Sequence, residues 1–185
     1  MEIHTHYRRA ADGLRLVFIG QLLMLVGLVL IWVPLLGSLL AIAGMVAEIV
    51  GLYQAGDDDK GYHTAMIFVI IGLVVNLMSG FITWSIVGSL LGAVGELMSL
   101  MGTIQVCTTT SLLLHAAGNE QLSQRGNTVM KLYVACTLVS VVCGVLSVVP
   151  IIGALAKLVN LVSDIVQAVG YVLFLLFLYN SSKAL

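Results

Sequence analysis

Apolar and polar residues fall in long blocks along this chain rather than in a short alternation. Residues 1–13 are polar and precede an apolar run from Leu14 to Val33, which Pro34 closes. A second run goes from Leu36 to about Gln54, followed by the polar loop Gly56-Asp57-Asp58-Asp59-Lys60-Gly61. The third, Thr64–Thr83, turns at Trp84-Ser85 into a fourth from Ile86 to about His115. After a polar insert from Ala116 to Asn127 come a fifth run, Thr128–Val149, ended by Pro150, and a sixth from Ile152 to about Tyr179. About 20 apolar residues in a helix cross the hydrocarbon of a bilayer. The pattern therefore predicts an all-α polytopic membrane bundle, one transmembrane domain whose six helices form hairpins at 14–55, 62–115 and 128–180, joined by loops 56–61 and 116–127. The first run is too long for a signal-peptide core and has no small-residue cleavage site after it, so it reads as a retained helix.

Composition agrees. Hydrophobic residues make up 60% of the 185 and charged residues 9%, where a soluble domain has about 25% charged; mean hydropathy is +1.10. A net charge of -1 leaves no basic surface for phosphate contacts and excludes a nucleic-acid partner. Cys107, Cys136 and Cys143 all sit in apolar runs, where a buried, inert thiol is expected. Cys136 and Cys143 are about 10 Å apart along one helix, too far for a disulfide.

The placement of the charges adds orientation. Arg8, Arg9, Arg15, Lys60, Arg125, Lys131 and Lys183 share the side of the termini and the longer loops, while the turns around Pro34, Trp84 and Pro150 carry none. The positive-inside rule then puts both termini in the cytoplasm and the chain in the cell's inner, cytoplasmic membrane. Trp32 and Trp84 would sit at the outer interface and Tyr53, Tyr62 and Tyr179 at the inner one, as an aromatic belt. Val33-Pro34-Leu35-Leu36-Gly37-Ser38-Leu39 parallels Val149-Pro150-Ile151-Ile152-Gly153-Ala154-Leu155, and the same offset of 116 sets Arg15 on Lys131 and Glu48 on Asp164. These matches point to a repeat of the first and third hairpins, and Gly37-Ser38-Leu39-Leu40 against Gly88-Ser89-Leu90-Leu91 extends it weakly to the middle one.

Candidate chemistry comes from ionisable residues inside the runs: Glu48, Glu96, Lys157 and Asp164. Glu48 and Asp164 are about 21 Å from their outer turns, Glu96 about 16 Å and Lys157 about 10 Å. A charge at that depth costs at least about 2.5–3.5 kcal/mol, so such residues face protein or water and often mark function. Lys157, Asn160, Asp164, Gln167 and Tyr171 follow one another at steps of three and four and share one helix face. That stripe reads either as a solute or proton path or as a structural polar seam. Glu96, Ser99, Thr103, Cys107 and Thr110 form a shorter stripe, weaker because Ser and Thr satisfy their own helix backbone. Asn76, Ser79 and Thr83 could face the same interior.

Glycines recur at sevens, Gly13, Gly20 and Gly27, then Gly37, Gly44 and Gly51, with Gly88, Gly92, Gly95 and Gly102 as a further small face. Lipid gives no hydrophobic drive between helices, so these faces read as packing surfaces, within one chain or between chains. His4, His6 and Glu2 read as a solvated terminus, and Asp57-Asp58-Asp59 as a solvated turn without the spacing of a calcium loop. No metal, cofactor or catalytic motif stands out, and the chain is read as no enzyme.

Val33-Pro34-Leu35-Leu36-Gly37, with Gly51-Leu52-Tyr53 and a short acidic loop to Gly61-Tyr62, resembles a pattern in small prokaryotic multi-span membrane protein families of unknown function. The resemblance implies an α-helical bundle and brings no site residues. Two functions are expected: passage of an ion, proton or small solute along a polar interior, as a homo-oligomer; or a membrane-embedded scaffold or accessory subunit docking another membrane protein.

Overall fold

Long apolar runs without interior proline can satisfy their backbone inside a bilayer only by closing helical hydrogen bonds, and helices are what form. The computed structural model describes residues 7–82, 85–146 and 153–185, with the side chains of 31, 34, 85, 86, 144–146, 153–158 and 160–165 outside that description. Trp84, Pro150 and Thr83 lie outside the described residues, as do the side chains of Lys157, Asn160 and Asp164. Among the described residues the elements are α1 (Arg8–Val29), a 3-10 turn (Leu30–Trp32), α2 (Pro34–Ala55), α3 (Lys60–Phe81), α4 (Ser85–Ala116), α5 (Glu120–Leu146) and α6 (Gly153–Ala184), with no strand. Arg8–Val29, Leu35–Ala55, Lys60–Phe81, Val87–Ala116 and Glu120–Cys143 are each long and apolar enough to cross a membrane. The protein is an all-α, membrane-embedded bundle. Each helix packs on the next in sequence, and α6 returns against α1.

The polar insert is the main departure from expectation. Residues 116–127 are not a loop: α4 continues to Ala116 and α5 begins at Glu120. Gly118, at φ 80°, ends α4 in a Schellman motif, with Asn119 N donating to Leu114 O at 2.8 Å and Gly118 N to His115 O at 3.0 Å. Asn119 at once caps α5, its Oδ1 accepting from Leu122 N at 3.3 Å. Polarity marks where lipid stops, and a helix need not stop there. The same reason starts α1 at Arg8 rather than Leu14.

The acidic turn is likewise more than solvated. Asp57 pairs with Arg9 at 2.7 Å, and Asp58 accepts from Ala10 N at 2.7 Å in the first turn of α1. Asp59 caps α3 by accepting from Gly61 N at 2.7 Å. Negative charge at a helix N-terminus is electrostatically favourable, so the loop ties α2, α1 and α3 together. The buried core gathers at this same end, around Leu14, Val17, Leu52, Leu114 and Leu178. Tyr62, expected at the interface, is fully buried there and shares a 2.9 Å hydrogen bond with Thr110. Cys107, Cys136 and Cys143 are buried and form no disulfide.

The glycines at sevens pack within one chain. Gly13 meets Gly51, Gly20 meets Gly44 and Gly27 meets Gly37 across the antiparallel α1–α2 pair. A Cβ on Gly20 would stand 2.5 Å from Gly44 O and 2.8 Å from Glu48 N, inside van der Waals contact. On the α3–α4 hairpin Gly95 receives the Asn76 amide. Among the described residues a Cβ on Gly88 would lie 3.3 Å from Ile82 O and 3.5 Å from Ser79 O, and one on Gly92 would meet only Ser79 Oγ, at 3.9 Å. Gly88 is thus closely approached by backbone, while Gly92 has room for a side chain among the described residues.

Candidate functional site

The tight crossing of α1 and α2 at Gly20 and Gly44 sets the positions of the residues beside it. Gln21 follows Gly20 on α1, and Glu48 stands one turn beyond Gly44 on α2. Gln21 Nε2 donates to Glu48 Oε1 at 2.7 Å. Across the α1–α6 contact, the Tyr171 hydroxyl is 2.6 Å from Gln21 Oε1 and 2.9 Å from Gln21 O, and can donate to either. Three helices thus meet on one amide. All three side chains are half-buried, so each hydrogen bond replaces solvation that lipid cannot give.

On α5, Tyr133 faces the same space as Gln167 and Tyr171 of α6. That space is a cleft of about 500 Å³ lined by Met24, Leu25, Leu28, Tyr133, Gln167 and Tyr171, with Ala168 and Val172. Tyr133, Gln167 and Tyr171 are the polar residues of an otherwise apolar lining. That arrangement, a few placed hydrogen-bonding groups on a hydrophobic lining, is the usual form of a small-ligand site.

Of the residues expected from sequence, Glu48, Gln167 and Tyr171 come together here. Glu96 is exposed on α4. In the rest of its stripe Thr103 Oγ1 donates to Ser99 O at 3.2 Å within the helix, and Thr110 reaches Tyr62 on α3. Ser79 Oγ likewise donates to Asn76 O on α3. Lys157, Asn160 and Asp164 lie on α6, with side chains outside the described residues. Sequence reasoning missed Gln21 and Tyr133, since neither carries a charge. A polar amide next to a packing glycine was the available signal for Gln21.

The chain matches no family model, no curated protein and no solved structure. Its function is therefore argued from the site. Among the described residues no group of three or more His, Cys, Asp or Glu side chains is placed to hold a metal ion.

Proposed function

We propose that this integral membrane protein passes a proton, ion or small solute along its polar interior, with Glu48 as the group that binds it. The observation that supports this is a carboxyl group at membrane depth, held by Gln21 from a neighbouring helix, beside a cleft of about 500 Å³. A solute or cation in that cleft meets the polar groups of Tyr133, Gln167 and Tyr171, then the Gln21–Glu48 pair behind them. Gln21 orients the carboxylate, and Tyr171 fixes the orientation of Gln21. The sites are not catalytic in this reading, and the chain acts without enzymatic chemistry. A single chain of 185 residues makes a thin path, so a homo-oligomer is expected. The α1–α2 glycines are already used within the chain, which leaves its contacts to other faces.

Purified protein in liposomes should carry flux of protons or monovalent cations, and Glu48→Gln should lower it at least ten-fold while the protein stays folded. Absence of flux, or equal flux in the variant, overturns the reading. The second reading is a scaffold or accessory subunit, favoured by the fact that Tyr171 and Gln21 join α1, α2 and α6 as a clamp. It predicts that Glu48→Gln lowers stability without any flux to lose, and that affinity purification from native membranes brings down a second membrane protein.

A further inference from the structure

A second cleft, of about 480 Å³, opens between α1 and α6 close to the chain termini, lined by Arg15, Phe18, Ile19, Tyr179, Ser182 and Lys183. Two cations line it and no carboxylate does. Among the described residues neither cation is in an ion pair, the acidic turn being matched instead to Arg9. Its lining is partly aromatic: Phe18 and Tyr179 meet in a tilted pair with ring centroids 5.4 Å apart, and the Lys183 ammonium sits 4.1 Å from the Tyr179 ring centroid while donating to its hydroxyl. Lys183 is thereby held against Tyr179 at the edge of the cleft it lines. Below Arg15, the residues Ile19, Leu22 and Val26 follow at steps of four, three and four, all exposed, so an apolar track leaves the basic cleft along one face of α1.

We propose that this cleft binds the phosphate of an anionic phospholipid from the leaflet on the side of the termini, its acyl chain lying along Ile19, Leu22 and Val26. The Arg15 guanidinium and the Lys183 ammonium are the phosphate donors, and the aromatic pair sets the depth of the headgroup. Basic pockets at this level between membrane helices suit anionic headgroups because the two charges act where lipid phosphate is concentrated. A free phosphate shares the headgroup chemistry and lacks the chain, so the apolar track is what separates the two sources.

The test is a titration of the detergent-solubilised full chain with phosphatidylglycerol, phosphatidylcholine or inorganic phosphate, read by native mass spectrometry. Phosphatidylglycerol should bind in preference to phosphatidylcholine, and Arg15→Gln with Lys183→Gln should weaken it about thirty-fold, the worth of two cations at a membrane surface. Lys131→Gln, an exposed cation on α5, should leave binding unchanged, and inorganic phosphate should fail to displace the lipid. An equal loss in Lys131→Gln, unaltered binding in the double variant, or displacement by phosphate would each overturn the site. Should the double variant fail to fold, the single variants carry the same comparison, since each cation is exposed.

Discussion

Tyr171 is the side chain on which the candidate site turns, because its hydroxyl serves both the backbone and the amide of Gln21. Interhelical hydrogen bonds in membranes average about 0.6 kcal/mol and reach about 1.7. Tyr171→Phe should therefore lower unfolding stability by about 1 kcal/mol in a detergent titration. Combined with Gln21→Ala it should cost less than the sum of the two singles, because one network is lost once; strict additivity would refute the shared amide. At this scale the sequence was readable where charge was present. Glu48 stands out in an apolar run, as does the stripe leading to Gln167 and Tyr171, whereas Gln21 and Tyr133 become visible only when helices are set side by side. Glu96 shows the converse, since a charge in an apolar run can still be exposed.

The helix pair α1–α2 is governed by what is absent from Gly20 and Gly44. Adding a side chain at Gly44 forces backbones apart, since a Cβ there would lie 2.5 Å from Gly20 O and 2.9 Å from Met24 N. Gly44→Ala should cost about 1–3 kcal/mol by overpacking and should also lengthen the Gln21–Glu48 contact, reducing any flux. Gly80→Ala, with nothing within 4 Å, is the neutral control, and equal effects from the two would show that the crossing is not tight. Asn119→Ala removes the α5 cap and should cost about 1 kcal/mol in thermal unfolding. Helix existence was legible here from run length alone. Helix ends were not, because Glu120, Arg125 and Arg8 look like loop by polarity yet extend helices past the lipid boundary. Seven-residue glycine spacing was legible as packing, but whether the partner helix lay in the same chain depends on tertiary contacts that no local pattern encodes.

Across the whole molecule, an even number of helices would return the C-terminus to the side of the N-terminus, and the excess of positive charge at that end predicts the cytoplasmic side. Reporter fusions at residues 1 and 185 should both read cytoplasmic; a signal from the opposite side for either would refute the orientation argued from Arg8, Arg9, Arg15, Lys60, Arg125, Lys131 and Lys183. The ion pair between Arg9 and Asp57 is exposed at both ends, so Arg9→Ala should change stability by no more than about 1 kcal/mol.

A spacing that repeats every seven residues on both partners works like a ruler with identical marks. If α2 slid by one interval, about 10 Å, Gly13 would face Gly44 and Gly20 would face Gly37, and two of the three crossings would re-form. Glycines alone therefore fix separation and leave register nearly degenerate. Proline resolves it: Pro34 opens α2, and a slide in that direction would carry it into the helix interior, where it lacks a donor and clashes with the preceding turn. At the far end, Asp58 on the first turn of α1 would lose its place as well. The pairing of Gln21 with Glu48 thus depends on two residues that touch neither of them, and changes at Pro34 or Asp58 should act on the site at a distance, as errors of alignment.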